Sequence, residues 1–448
     1  MQCLPDWDGV ERGGPEDDEP STKEEFLKYV IPEHRTKLLE VTHNHKLDAF
    51  ISFLAEPHLY VVNTSQMEGD VMSMSVTGLA SLHREPFDSR KTISLMKRSR
   101  TNMWPRKEYV NNLKEFDPIN PCENVLVTEN GSTIGTLRGS KQFEDVMRSA
   151  EQLKPSQKKP YLNLSSPNDG QRSMTLYTFE SVKTDEEIER MWKENGAFAA
   201  NKGTYAHYQM ERFLNRERVN MDQKNVMRGV QFLGDMFSST NGKAYRTEWE
   251  IFAEDEHLAG SIDLVMKTDT GYVLVDWKCS DKLEEHMRSF AGKRMKEPLS
   301  MLEDCDGKQY ALQLSIYRWI LQKYYDVNVV DQYVCSIHEE KPYHTNLPYL
   351  KHHVCFLMRC RREWRERLIS ESETHKSYTC VRCKRLPIFP VMVDGQIMDR
   401  SFAIKENLHY EDVGKDVEET IKSLRPCLTF YPSDEERKHM ESELSFSC

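Results

Sequence analysis

Asp263, Asp276 and Lys278 lie in the stretch EWEIFAEDEHLAGSIDLVMKTDTGYVLVDWKCS, Glu248 to Ser280, which reads as three strands in series. Val273-Leu274-Val275 is a β-branched, apolar run just after Gly271, and Thr268-Asp269-Thr270-Gly271 is turn-forming. If those four residues are the loop, Lys267 pairs with Tyr272, and counting back places Asp263 opposite Asp276. Side chains so paired have Cβ atoms about 5 Å apart. Two carboxylates at that separation repel, and each raises the other's pKa unless a cation sits between them. Lys278 points to the same face as Asp276, because strand side chains alternate. A divalent cation held by oxygen ligands beside an ammonium group is equipment for cleaving a phosphodiester. The competing reading is an ion-pair cluster on a solvated sheet face. Trp277, Val275 and Ile262 weigh against it, since core-like strands rarely hold three charges without purpose.

The elements around these strands are helices. In KGTYAHYQMERFLN, Lys202 to Asn215, His207 and Glu211 are four apart and share a helical face. A lone helical His is more often structural than a ligand, so its value depends on whether it meets the strands. QYALQLSIYRWILQKYY, Gln309 to Tyr325, is an amphipathic helix with Leu312, Ile316, Trp319 and Ile320 inward and Gln313 and Tyr317 on one face. Thr184-Asp-Glu-Glu is a capping box that opens a helix through Trp192. Residues 225–239 and Phe356 to Ile369 read as further helices, and Val329 to His338 as a strand. Glu248, on the first of the three strands, is either an extra ligand or an exposed partner for Arg246.

The 448-residue chain has room for two or three domains. Its net charge of −11 gives no global basic field, so any nucleic-acid contact must be local. No apolar run approaches the roughly 20 residues of a membrane span, and the mean hydropathy is −0.69. Residues 1–20 read as a disordered acidic tail, without a signal core and too acidic for a typical mitochondrial presequence; this points to the cytoplasm or nucleus. The 11 scattered Cys fit reduced thiols. Residues 21–110 read as a helical and hairpin subdomain: helix from Ser21 to about Leu54, a short strand His58 to Asn63, a hairpin partner Met72 to Thr77, and a helix beginning at 78–85. Between Arg90 and Lys107 the chain is locally basic (Arg90, Lys91, Lys97, Arg98, Arg100, Arg106, Lys107) around Trp104. That run is either a solvated helix face or a phosphate-tracking surface with an aromatic for base stacking. Residues 111–173 read as an insertion, mostly loop, with one short helix near 141–153.

The order Gly203-Thr-x-x-His207-x-x-x-Glu211, Gly260-x-x-Asp263, Asp276-x-Lys278 and Gln313-x-x-x-Tyr317 resembles the RecB-like branch of the PD-(D/E)XK nucleases. The segment from HLYVVN to SVTGLASLHREPFD is similar to nuclease-like proteins of large DNA viruses. The likeness covers roughly residues 58–370, apart from the insertion. Each motif alone is weak; four in this order are specific. The resemblance implies an α/β fold, a mixed sheet flanked by helices, with the nuclease core at 174–372. It implies one Mg²⁺ or Mn²⁺ held by His207, Asp263, Asp276 and the backbone carbonyl of Trp277. Lys278 would orient or help deprotonate the attacking water and neutralise charge on the phosphate. Gln313 and Tyr317 would brace the site or contact the strand, and Glu211 and Glu248 would support it. Some relatives carry an iron–sulfur cluster; here only Cys380 and Cys383 are closely paired in the C-terminal part, so none is expected.

Residues 373–448 read as a small appendage. Tyr378 to Leu408 resembles a degenerate U-box, which would dock a ubiquitin-conjugating enzyme; the alternative is a hairpin and helix packing on the core. A zinc site of Cys380, Cys383, His409 and Cys427 has poor spacing. The function expected is metal-dependent hydrolysis of DNA, exonucleolytic on ends or single strands, as in DNA repair or recombination. The alternative is a nucleic-acid-binding or scaffold protein with a vestigial site, linked to ubiquitination through the tail.

Overall fold

A computed structural model describes residues 20, 22–31, 37–54, 59–64, 71–98, 104–115, 124–129, 132–136, 174–219, 223–289, 292–426 and 430–445. The acidic tail (1–19), the expected helix near 141–153, Arg100 and Cys427 lie outside these residues. The chain divides into two units: residues 1–85 with 200–448, and residues 86–199.

The first unit is α/β. Its eight-stranded sheet runs Ile51–Leu54, Leu59–Val62, Val71–Ser75, Leu258–Lys267, Tyr272–Lys278, Val329–Ser336, Tyr343–Asn346, with Lys243–Ala253 also paired to Leu258–Lys267. The sheet is mixed: Leu258–Lys267 is parallel to Val71–Ser75, Tyr272–Lys278 is parallel to Val329–Ser336, and the other pairings are antiparallel. Alternation along the strands fills both faces. Leu264, Met266, Val273, Val275 and Trp277 pack with Phe232, Leu233 and Met236 of the helix Lys224–Thr240. Val265, Leu274 and Val334 pack with the helices Asp306–Tyr324 and Lys351–Thr374. A sheet covered on both sides reads in sequence as near-continuous apolar runs, as Val273–Val275 does.

Several local expectations change. Ser21 to Leu54 is not one helical stretch: it holds two five-residue helices, Lys23–Leu27 and Leu38–Thr42, and ends as the strand Ile51–Leu54. Phe50 and Phe53 supplied a helix-like pattern, but Phe50 is exposed and Phe53 lies on the strand Ile51–Leu54, its ring 4.8 Å from that of Tyr60. Thr184 does form the capping box, its Oγ1 accepting from the Glu187 amide at 3.2 Å while Glu187 Oε2 accepts from the Thr184 amide at 2.7 Å. The helix it opens runs on to Leu214, through Gly196 and Gly203, rather than ending at Trp192. The Gln309-to-Tyr325 helix spans Asp306–Tyr324 and is less one-sided than expected: Ala311, Leu312, Leu314, Ile316, Tyr317, Ile320 and Leu321 are all buried, and Trp319 only partly. It meets the sheet and also the Lys351–Thr374 helix, so it needs apolar residues around most of its circumference.

In the second unit, the described part of 111–173 is strand rather than loop. Lys114–Glu115, Met174–Phe179, Asn124–Glu129 and Ser132–Thr136 form a sheet in that order. Its core holds Ile93, Tyr109 and Ile188, with Trp104 and Trp192 against them.

The C-terminal residues belong to the first unit. A hairpin, Pro390–Val393 with Gln396–Asp399, takes Glu411–Asp412 as a third strand and is followed by the helix Arg400–Lys405. The helix Asp434–Ser445 then docks on Lys351–Thr374. Met440 is fully buried, Glu443 meets His353 Nδ1 at 2.8 Å, and Glu436 receives both Nε and Nη2 of Arg359 at 2.9 Å. No helix among the described residues is long and apolar enough to cross a membrane.

Candidate metal centre at the fork of the sheet

The hairpin register is the one counted from the turn: Lys267 pairs with Tyr272, and pairing continues to Leu264 with Val275. There it stops. Leu258 and Ala259 pair on the same side with Met74 and Ser75, so Gly260 to Asp263 lie where the sheet forks. Asp263 and Asp276 are therefore not a hydrogen-bonded cross-strand pair. Instead Asp263 Oδ2 accepts the backbone N–H of Trp277 at 2.7 Å, a side chain standing in for the next rung of the ladder.

Gly260 is required at this fork. A Cβ there would come within 2.7 Å of Tyr317 Cε1 and 2.9 Å of its hydroxyl oxygen. Tyr317 is buried, and its hydroxyl is hydrogen-bonded to the Thr77 side chain. The motif glycine and the motif tyrosine are thus one packing device.

Across the fork, Glu248 sits on Lys243–Ala253 between Thr247, paired to Leu264, and Trp249, paired to Ile262. Its φ is 42°, a left-handed conformation that costs a non-glycine residue about 1–3 kcal/mol and is commonly found at functional sites. The side chain turns toward Ser261, whose hydroxyl donates to Glu248 Oε2 at 3.0 Å. It does not pair with Arg246, which is buried and donates to Asp48 at 2.7 Å and to the His43 carbonyl at 3.0 Å. His207 enters from the long helix, its Nδ1 3.5 Å from Asp263 Oδ2 and 4.0 Å from Glu248 Oε1. One nitrogen and two carboxylate oxygens of His207, Glu248 and Asp263 lie within 4.8 Å of one another, the one such group found among the described residues. Cys380, Cys383 and His409 do not form one.

Asp276 stands beside this group and is held by protein cations and donors. Lys278 Nζ is 2.5 Å from its Oδ2, and Gln313 Nε2 donates to Oδ1 at 3.3 Å. Lys278 also lies over the ring of Tyr310, 4.8 Å from its centroid. Glu211, one turn beyond His207, is buried and ion-paired with Lys37.

Burial and then Asp263 push the Glu248 carboxyl up to about 7; burial and then Asp276 do the same to Asp263, against the opposing pull of Lys278 and the Trp277 amide. Burial, with Lys278 nearby, lowers His207 below its ordinary value despite Glu248 and Asp276, so the imidazole is neutral and able to ligate. Burial opposes charge on Lys278 as well, but Asp276 and Asp263 outweigh it and hold the ammonium above its usual range. These side chains are densely surrounded yet remain 26% (His207), 30% (Glu248) and 14% (Asp263) exposed, as groups lining an open recess would be. Two carboxyls and a neutral imidazole, short of counter-charge and open on one side, fit a divalent cation with oxygen and nitrogen ligands.

The other expected residues fall elsewhere. In the second unit, Lys97 is ion-paired with Asp185, Arg90 lies 3.6 Å from Glu189, and Arg106 lies 3.8 Å from Glu108. Trp104 stacks on Tyr109 with centroids 5.4 Å apart and has Lys97 over its ring, so its aromatic face is already used. Lys91, Arg98 and Lys107 are exposed and make no ion pair among the described residues. Two residues escaped the sequence reading. Tyr310 was findable, because it precedes Gln313 by three and Tyr317 by seven on the same helical face. Lys37, 174 positions before Glu211, left no local signal. No family model matches the chain, and no curated protein matches it.

Proposed function

We propose that the chain is a metal-dependent nuclease of the PD-(D/E)XK type that hydrolyses DNA phosphodiester bonds, at ends or in single strands. The observation that carries this reading is the pairing, at one fork of the sheet, of a His207–Glu248–Asp263 donor group with the Asp276–Lys278 ion pair. His207, Glu248 and Asp263 would hold Mg²⁺ or Mn²⁺, with Asp276 and the Trp277 carbonyl, which accepts from His207, beside them. Bound there, the cation would polarise the phosphate and lower the pKa of an attacking water.

The chain's own residues then have separable tasks. Lys278 keeps its proton at neutral pH, so it acts as a fixed positive charge toward the phosphate rather than as a base. Asp276, locked by Lys278 and Gln313, aims that ammonium. Tyr310 limits its swing from the other side. Gln313 and Tyr317 brace the strands and Gly260 sets their approach.

Linear and circular, single- and double-stranded DNA, each incubated with and without Mg²⁺ or Mn²⁺, tests the reading. Metal-dependent cleavage of linear substrates with sparing of closed circles is expected. No cleavage of any DNA with either metal would remove the proposal.

A further inference from the structure

The turn at 254–257, which joins the strands Lys243–Ala253 and Leu258–Lys267, is gripped by a buried arginine. His257 has φ 48°, and its carbonyl accepts Arg361 Nη2 at 3.3 Å, while the Glu256 carbonyl accepts Arg361 Nε at 3.1 Å. One edge of the guanidinium is thus spent on backbone. Arg361 is only 2% exposed, yet its Nη1, on the other edge, is enclosed without a hydrogen-bond partner among the described residues. Arg365, one turn further along the same helix, also leaves its Nε enclosed and without a partner among them, and so does Arg425. Arg425 is brought to this helix by its neighbour Pro426, whose carbonyl accepts Trp364 Nε1 at 2.9 Å. The Arg361 guanidinium lies 4.5 Å from the centroid of the same Trp364 ring. Three guanidinium groups therefore gather around one tryptophan, each with a donor to spare.

Buried guanidinium groups normally find carboxylates, but the carboxylates near these are engaged elsewhere. Glu256 Oε1 accepts Lys323 Nζ at 3.2 Å and Arg362 Nη1 at 2.6 Å, and its Oε2 accepts the Tyr324 hydroxyl at 2.6 Å. Asp399 accepts the backbone N–H groups of Ile388, Phe389 and Ser401. Burial, and then Arg365, Arg361 and Arg385, hold His257 down at about 3, so its imidazole stays neutral. Burial lowers Arg361 to about 10, which leaves it charged at neutral pH. Enclosed donors with positive charge and no acceptor are the complement of a phosphate, whose oxygens accept from several guanidinium groups at once. We infer that Arg361, Arg365 and Arg425 bind one small phosphate anion, inorganic phosphate or a phosphomonoester. The spare nitrogens are shielded from solvent, which suits a small anion rather than a strand backbone, while Arg365 and Arg425 keep part of their surface exposed and give it a way in. The site lies apart from the fork, since His257 and Asp263 are separated by about 20 Å of extended strand. It therefore does not depend on the nuclease reading.

The test is calorimetric titration of the full chain with inorganic phosphate, in a chloride buffer with EDTA so that no metal recruits phosphate to the fork. Wild type is expected to bind one phosphate saturably. Arg365→Met and Arg425→Met each keep an apolar stem and remove the donors. Each is expected to weaken binding about tenfold or more, the usual worth of a charge-assisted hydrogen bond. Arg361 is left intact, because its other edge holds the turn. Lys278→Ala, at the fork, should bind phosphate as wild type does. Wild type alone gives a second reading that needs no variant: phosphate should raise its Tm, and chloride of equal ionic strength should not. A single-stranded oligonucleotide without a terminal phosphate should fail to displace phosphate from wild type. The inference is overturned if wild type shows no saturable binding or no phosphate-specific rise in Tm, or if either arginine variant binds with wild-type affinity. Loss of binding in Lys278→Ala, or displacement by the oligonucleotide, would place the anion elsewhere and overturn it equally.

Discussion

Glu248 and Asp263 share a recess in which each makes the other's negative charge costly, and this gives the metal-free protein a particular pH dependence. Both carboxyls hold a proton to about pH 7 in the folded chain. In the unfolded chain they lose it near pH 4. Between those values the folded state binds more protons than the unfolded state, so the stabilisation present below pH 4 is lost as pH rises toward 7. Histidines held below their ordinary value, His207 and His257 among them, contribute in the opposite sense, so the carboxyls are read by difference: from pH 5 to pH 8 the Tm of metal-free wild type is expected to fall relative to that of Asp263→Asn. Saturating Mg²⁺ should remove the difference at pH 8, because the cation replaces the lost protons. Melting curves of both proteins at four pH values check this; a Tm difference between them that stays constant from pH 5 to pH 8 would contradict it. Asp276→Asn belongs to another case, since Asp276 already has Lys278 for counter-charge. Residue types and spacing did point to Asp263, Asp276, Lys278 and His207. They could not show that Glu248 completes the donor group, because that depends on one residue adopting φ 42°.

At the scale of elements, the turn Thr268–Gly271 was legible and its register followed from it, since a short loop fixes which residues face each other. The fork was not legible, because pairing by Val71–Ser75 comes from nearly two hundred residues upstream. Gly260 tests the fork. Gly260→Ala places a methyl 2.7 Å from the Tyr317 ring, and both are enclosed by core, so the ring or the strand must shift. Overpacking of this kind typically costs about 1–3 kcal/mol. Denaturant unfolding should show that loss, and Gly260→Ala with Tyr317→Leu should recover part of it; equal stability of wild type and Gly260→Ala would contradict the packing. The C-terminal helix carries a charged sequence, DEERKHMESELS, with a single buried apolar anchor. Met440 is fully buried against the core. Met440→Ala should cost about 2–5 kcal/mol, and deletion of residues 434–448 more, since His353 and Arg359 also lose Glu443 and Glu436. A deletion that melts as wild type would contradict this docking.

At the scale of the whole molecule, an acidic chain with net charge −11 needs local positive charge to hold DNA. In the second unit, Lys97, Arg90 and Arg106 have acidic neighbours, and Trp104 is stacked on Tyr109. The sequence left this segment open between a solvated face and a phosphate-tracking surface, because the partners of Lys97 and Arg90 lie 88 and 99 positions away. Lys91, Arg98 and Lys107 remain. Replacing these three with Ala should weaken single-stranded DNA binding and reduce the slope of log Kobs against log salt by about 2; an unchanged slope would assign the segment to ordinary surface. The mixed sheet between helices was the most legible feature of the fold, because strands buried on both faces and their flanking helices carry dense apolar patterns. The strands Asn124–Glu129, Ser132–Thr136 and Met174–Phe179 were least legible, being short and bounded by residues that also suit loops.

The central claim is that one fork holds a metal and, independently of it, a fixed positive charge for the phosphate. The direct measurement is single-turnover cleavage of linear DNA by wild type and Lys278→Ala, with Mn²⁺ affinity measured on the same samples. Lys278→Ala should bind Mn²⁺ at least as tightly as wild type and cut about 10²–10³-fold more slowly, the usual loss on removing one preorganised charge-stabilising group. Cleavage by Lys278→Ala at the wild-type rate, or wild type that neither binds Mn²⁺ nor cuts in its presence, would contradict it.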